Sequence, residues 1–388
     1  MALCHTLTQA HFEELAMIYA QDTKGLSIPE NICEQHTQTH ILTNKRRNTK
    51  TCNTMNSIER LFIDKEQAIK RMNSLGKERT PFFFLTDFGT ERCLVERTDD
   101  LPANELQFVF PGHSHTSRQK PDEMPGKIEW ETYPESFDTY KKSFDKVRSN
   151  ILAGNSFLTN LTCATPVRTN MSLEQIFNFA EARYKLWLKD RFTVFSPETF
   201  VRIHDGLIYS YPMKGTIDAG IPDASERLIN DVKERAEHAT ITDLIRNDLS
   251  QSATEVTVTR FMYLEKLTTN RGALWQMSSE IRGRLASDYR QLLGDIIFRM
   301  LPAGSISGAP KKKTVDIIHQ AENYNRGFYT GVMGYFDGDD LDSAVLIRFI
   351  EQDGKGRMIF KSGGGITFQS NVRSEYEEMK QKVYVPIY

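Results

Sequence analysis

Several things are scarce in this sequence. No stretch approaches the roughly 18 apolar residues that a membrane span requires. The first residues, MALCHTLTQAHFEEL, place acids where a secretory leader carries its apolar run. A soluble, cytoplasmic protein is expected, with no membrane partner. Neither sign of charge dominates: 49 Lys+Arg against 51 Asp+Glu leave a formal net charge of -2, which offers no footing for nucleic acid. The densest basic run, Asn44 to Lys50 (NKRRNTK), reads as a solvated loop. Cysteine is sparse and unpaired in pattern. Cys4, Cys33, Cys52, Cys93 and Cys163 form no CxxC, so neither a zinc knuckle nor a disulfide framework is indicated, and a reducing compartment fits. His5 and His11 lack any Cys or carboxylate pattern that would make a metal site.

What is present falls into three stretches. Residues 1–54 are polar, rich in Thr, Asn, Gln and His, and read as an extension that is disordered or not native, apart from a short helix around Gln9 to Tyr19. Met55 begins an ordinary protein start, and residues 55–134 read as a reduced N-terminal subdomain containing the strands Pro81–Phe88 and Leu106–Gly112. Residues 135–388 make up the third stretch, the catalytic domain by the resemblance to which its motifs point. It begins with a helix over Phe137–Leu152 and a strand at SFLTNLTCATPV, then a helix over Ser172–Asp190. Two strands between Arg191 and Tyr211 turn at His204-Asp205-Gly206, and a long helix follows over Asp223–Leu249. Further helices are expected at Tyr289–Leu301, after Pro310 and over Val372–Val383, with strands at Gly331–Phe336, Ser343–Gln352 and Met358–Lys361. Strands and helices alternate without a regular βαβ beat, so the fold class expected is α+β, a layered sandwich rather than a barrel.

Two helices carry acidic pairs. Glu234 and Glu237 are three residues apart, as are Glu375 and Glu378, and such pairs share a helix face. Lys382, seven beyond Glu375, falls on nearly the same stripe. Four carboxylates on two helices suit a hard cation such as Mg2+, which needs only one or two of them plus an anionic substrate. Any solvated helix also carries such pairs, and spacing alone does not choose. Gly363-Gly364-Gly365 follows a strand and lets backbone approach a ligand, or is simply a turn. The run Gly304 to Lys311 (GSISGAPK) lacks the Gly-Lys-Ser/Thr of a phosphate loop, and Pro310 fits a first helical turn. Lys214, between a strand end and Gly215, is a surface lysine or, if its pKa is lowered, a nucleophile.

Taken in order, these pieces resemble the chorismate-utilising enzymes: the anthranilate synthase large subunit and the aminodeoxychorismate, isochorismate and salicylate synthases. The matching strings are SPETF (196–200), PMKGT (212–216), AEHATITDLIRNDL (236–249), SSEIRGRL (278–285), LPAGSISGAPKKKTVDII (301–318), NRGFYTGVMGY (325–335), DSAVLIR (342–348), KSGGGIT (361–367) and SEYEEMKQK (374–382). The resemblance implies an anthranilate-synthase-like sandwich of large antiparallel sheets flanked by helices.

It further implies that Glu237 and Glu378 bind Mg2+, with Glu234 and Glu375 one turn earlier as indirect ligands. The ion would hold the ring carboxylate of chorismate. Tyr329, Arg348, Lys382 and the backbone of Gly363, Gly364 and Gly365 would meet the enolpyruvyl carboxylate, and Gly215 and Ser305 would line the pocket. The aminodeoxychorismate synthase branch carries lysine at Lys214, where anthranilate synthases carry alanine. That lysine is the expected nucleophile at C2 of chorismate, with Glu198 as the general acid. Isochorismate and salicylate synthases carry a water-activating lysine at Leu158, and the aminating enzymes usually carry glutamine there; leucine cannot activate water. The function implied is amination of chorismate to 4-amino-4-deoxychorismate, toward 4-aminobenzoate and folate. The alternatives on the same fold are anthranilate, isochorismate and salicylate synthesis. With no cysteine in a GxCxGH-type setting, the ammonia is expected from a separate glutamine amidotransferase subunit. The shortness of the N-terminal part implies no tryptophan site.

Overall fold

A computed structural model of the chain describes residues 57–117, 123–269 and 272–387. The expected extension over 1–54, with its short helix, lies outside the described residues.

The strand Phe82–Thr86 (β2) shows how the sandwich is built. All of its residues are buried. Phe83 and Leu85 face one way and pack with Leu106, Phe108 and Phe110 of a strand in the second sheet, while Phe82 and Phe84 face the other way, toward helices. A strand buried on both faces loses the polar alternation of an exposed one and reads as a continuous apolar run. Among the described residues, one sheet has ten strands and the other nine. In the first, Phe62–Ile63 (β1), Cys93–Arg97 (β3), β2, Val332–Phe336 (β16), Leu341–Val345 (β17), Thr199–His204 (β10), Leu207–Ser210 (β11), Gly272–Arg284 (β14) and Met213–Asp218 (β12) lie side by side, and Thr254–Thr269 (β13) also pairs with β14. In the second the order is Gly308–Ala309 (β15), Leu158–Thr169 (β7), Met358–Ile366 (β19), Phe349–Gln352 (β18), Phe192–Ser196 (β9), Tyr184–Leu188 (β8), Leu106–Phe110 (β4) and His113–His115 (β5), with Trp130–Thr132 (β6) on β7. Strands from residues 55–134 thus enter both sheets.

The facing inner surfaces form one core. On the outside of the first sheet pack Lys65–Lys77 (α1), Val232–Ser250 (α5) and Leu293–Arg299 (α6). Phe137–Leu152 (α2), Lys311–Ala321 (α8) and Val372–Gln381 (α9) cover the second. This is the layered α+β sandwich expected from the sequence. Among the described residues no helix is long and apolar enough to cross a membrane.

Five local expectations need correction. Arg191–Tyr211 holds three strands, β9, β10 and β11, rather than two, because Pro197 and Glu198 break the first apolar run as the chain passes from one sheet to the other. The helix read over Ser172–Asp190 stops early: Leu173–Phe179 (α3) is helical, capped by Ser172, but Tyr184–Leu188 is β8. There Tyr184, Leu186 and Leu188 enter the inner core while Trp187 packs on the outer face, a period of two that the capping signal upstream obscured. The long helix over Asp223–Leu249 is two, Ala224–Asn230 (α4) and α5. Asp231 separates them in an extended conformation, and its side chain accepts a hydrogen bond from the Glu234 N–H. The strand Ser343–Gln352 is likewise two, β17 in the first sheet and β18 in the second. Gly363-Gly364-Gly365 lies inside β19, opposite Thr162, Leu161 and Asn160 of β7.

Candidate active site

The chain crosses between sheets at two adjacent places, and each crossing carries a candidate site residue. From β9 to β10 it passes through Pro197 and Glu198. From β17 to β18 it passes through Arg348, whose φ of 53° puts a non-glycine residue in the left-handed region. The Glu198 carboxyl accepts a hydrogen bond from Ser305 Oγ at 2.6 Å. Ser305 is fixed by the short helix Gly304–Ser307 (α7), whose first N–H is held by Asp248, itself paired with Lys311 at 2.9 Å. Glu198 lines a cleft with Tyr211, Pro212, Gly304 and Ser305, deep enough that burial raises its pKa, against the pull of Ser305, Lys382 and Arg348. That suits a group that must hold a proton. Arg348 Nη1 reaches the Lys382 carbonyl at 3.5 Å, and its guanidinium lies over Tyr384. Tyr329 is buried against Phe349, and burial pushes its hydroxyl pKa up, against the pull of Arg326 and, more weakly, Arg348.

Lys214 is placed by an irregularity in β12. Met213 pairs with Ser278 and Thr216 with Gln276, so β12 holds one residue more than β14 between these pairs. Gly215 takes up the bulge at a φ of 87°, and a Cβ there would lie 3.0 Å from Glu234 Oε2. The bulge sends Lys214 Nζ to Glu237 Oε2, at 2.8 Å. Burial opposes the charge on Lys214, but Glu237, Glu378 and Glu234 outweigh it, so the pKa stands above the ordinary lysine value, not below it as the sequence reading required of a nucleophile; the carboxylates beside it hold the amine protonated.

The other two carboxylates arrive on α9. A Cβ added to Gly364 would lie 3.4 Å from Glu378 Oε1, 3.5 Å from Glu375 Oε2 and 3.8 Å from Lys382 Nζ. Lys382 Nζ donates to Glu378 at 2.7 Å and to the Gly363 carbonyl at 2.8 Å. A Cβ on Gly365 would lie 3.0 Å from Leu158 Cδ1 and 3.9 Å from Lys214 Nζ. The glycine run therefore works by absence: with no side chains there, groups from α9 and from β12 meet across one strand. Burial raises the pKa of Glu234 and of Glu375, and their glutamate neighbours add to it. Burial also acts to raise Glu378, but Lys382 and Lys214 outweigh it and hold it low.

The donor set fits a hard cation. Glu237 Oε1 is buried and accepts no hydrogen bond; Lys233 Nζ lies 3.7 Å from it, beyond hydrogen-bond distance. A buried acceptor without a donor is costly and calls for a ligand. Among the described residues no three His, Cys, Asp or Glu side chains form a ready-made cage, so a substrate would have to supply part of the coordination.

Nearly all the residues singled out in the sequence converge here: Glu198, Lys214, Gly215, Glu234, Glu237, Ser305, Arg348, Gly363 to Gly365, Glu375, Glu378 and Lys382, with Tyr329 in the core beside them. Sequence reasoning missed His238. It is fully buried and lies 3.3 Å through Nδ1 from the Lys214 carbonyl. Burial lowers its pKa to about 4, so the ring is neutral.

Residues 33–387 match the family described as chorismate binding enzyme. The chain belongs to the chorismate-binding enzyme family. An uncharacterized PabA-like protein of Pasteurella multocida is 51% identical to this chorismate-binding enzyme over 320 residues, 82% of this chain and 98% of the relative. Aminodeoxychorismate synthase component 1 of Bacillus subtilis is 29% identical over 306 residues, 74% of this chain and 63% of that one. The menaquinone-specific isochorismate synthase of Escherichia coli shares the fold at 16% identity, with a TM-score of 0.64 over 83% of this chain and 82% of that one. Anthranilate synthase component I of Streptococcus pneumoniae is 25% identical, with a TM-score of 0.55 over 68% of this chain and 60% of that one.

Proposed function

We propose that this chorismate-binding enzyme aminates chorismate at C4, giving 4-amino-4-deoxychorismate with its enolpyruvyl group intact. The observation that carries the reading is the position of Lys214: its amine is aimed by a strand bulge at Glu237, beside the glycine run.

In this reading Lys214 Nζ leaves Glu237, gives its extra proton to solvent, and as the free amine bonds to C2 of chorismate, so that the adduct nitrogen carries the positive charge. The ring double bonds shift and the C4–O bond breaks. Glu198 gives its proton to the departing oxygen, which leaves as water. Ammonia then bonds to C4, the double bonds shift back, and the C2–N bond breaks to release Lys214. The surplus ammonia proton restores Glu198. Arg348 grips the enolpyruvyl carboxylate through its planar fork, aided by Lys382, Tyr329 and the backbone of Gly363 to Gly365. Gly215 and Ser305 line the same pocket.

Mg2+ is the cofactor in this reading, held by Glu237 and Glu378 with Glu234 and Glu375 in support. When bound, it neutralises the ring carboxylate of chorismate. Leu158 packs beside Gly365 with no group able to take a proton from water, which supports an amine nucleophile over water. The ammonia is assigned to a separate glutaminase subunit. Burial pushes the Cys93 thiol up to about 11 and the Cys163 thiol higher still, so neither described cysteine is a ready nucleophile.

Replacing Lys214 by alanine tests the reading. With ammonium as the amine source, the variant is expected to lose amination while still binding chorismate. Undiminished turnover would remove the covalent role.

A further inference from the structure

The lysine is gripped at two points by one turn of α5. Glu237 meets its amine at 2.8 Å, and the next residue, His238, meets its backbone carbonyl at 3.3 Å. A carbonyl oxygen can only accept, so Nδ1 carries the proton and donates. At the far side of the ring, Nε2 lies 2.7 Å from Ser279 Oγ. Ser279 is fixed in turn: its hydroxyl oxygen accepts from the Met262 N–H at 3.0 Å, and its own N–H donates to the Pro212 carbonyl, also at 3.0 Å. The relay thus begins and ends on the segment that carries the bulge, at Pro212 and at Lys214.

A bulge re-aims a side chain, but its extra residue sits outside the regular ladder and needs other partners to hold it. Here a buried histidine supplies one. We propose that His238, backed by Ser279, is a positioning residue that holds the Lys214 carbonyl and so keeps the Lys214 amine on its line to the substrate. The proposal rests on the reading of Lys214 as the nucleophile. It assigns His238 no contact with chorismate and no proton transfer to it.

The test uses His238→Leu, His238→Asn and Ser279→Ala in the full chain, with chorismate, Mg2+ and ammonium. Asparagine places an N–H close to where Nδ1 stood and can still donate to the Lys214 carbonyl. Leucine cannot. Turnover, KM for chorismate and the rate at which Lys214 gains the mass of a dehydroxylated chorismate are measured together, with thermal stability as a control. His238→Leu should lower kcat and adduct formation by about 10- to 100-fold, the effect expected of a ~1 Å misplacement. KM for chorismate should stay within about twofold, because the carboxylate-binding groups are untouched. His238→Asn should recover most of the loss. Ser279→Ala, which keeps the ring and removes only its support, should fall between them, and it carries the test if the leucine variant does not fold. Wild-type adduct formation in His238→Leu would overturn the proposal. So would equal losses in the leucine and asparagine variants that track their melting temperatures. If Lys214→Ala itself aminates normally, the reading of the lysine fails. If Lys214→Ala is inactive while His238→Leu is normal, only the role of His238 fails.

Discussion

The Glu198 carbonyl accepts a hydrogen bond from the Val345 N–H at 3.1 Å, and the Arg348 carbonyl accepts one from the Phe195 N–H at 3.1 Å. Each crossover residue is therefore held by the strand that leads into the other crossover. The acid and the guanidinium cannot drift apart without breaking both. Irregular backbone between two rigid sheets gives side chains a fixed position with access to a cleft, a combination regular strands do not offer.

Glu198→Gln should lower amination by about 10²- to 10⁴-fold, the usual share of a general acid. It also has a stability signature. Burial raises the Glu198 pKa above its ordinary 4.5, so the folded state binds the proton more tightly than the unfolded state. The stabilisation is complete below that ordinary value and is lost as pH rises through the raised one. Urea denaturation should show wild type losing stability relative to the glutamine variant as pH climbs from acid toward neutral. Parallel curves would show that the carboxyl is not perturbed.

Arg348→Lys keeps the charge and removes the planar fork. A charged hydrogen bond contributes about 1.5–3 kcal/mol, so KM for chorismate should rise roughly 10- to 100-fold. An unchanged KM would take Arg348 out of the substrate contacts.

Much of this site can be read along the chain, because motif and contact coincide. Carboxylates of both the AEH and the EYEE pair act on Lys214, and the glycine run faces the second pair. What is hidden depends on contacts made far apart in sequence. His238 could not be read as a partner of Lys214, because the carbonyl it meets is 24 residues away and is presented by a bulge. Arg348 could be matched to a motif, but not its place at a sheet crossing, since Ser343–Gln352 is apolar enough to pass for one strand. Tyr184–Leu188 was masked by the strong helix start at Ser172, a local signal that fades after two turns.

Glu378→Gln should shift the Mg2+ titration of activity to higher concentration, and a chelator should abolish turnover of the wild type reversibly. Melting should change little in the chelator, because the sheet cores are apolar and need no ion. A variant with a wild-type metal titration would remove Glu378 from the ligands.

Arg326 and Glu322 form a buried pair, each side chain 2% exposed. Arg326 also donates to the carbonyls of Ile306 and Asn160, tying α7 to β7. Arg326→Met strands the glutamate and should cost about 3–5 kcal/mol in urea unfolding. A loss under about 1 kcal/mol, the scale of an exposed pair, would mean the pair is solvated.

The most direct test of the whole account is the identity of the product. The purified chain is incubated with chorismate, Mg2+ and ammonium at mildly alkaline pH, and the product is identified by chromatography and mass. The account predicts a compound that keeps the enolpyruvyl group, carries an amine in place of the C4 hydroxyl, and yields 4-aminobenzoate when an aminodeoxychorismate lyase is added. Anthranilate, isochorismate or salicylate would contradict it.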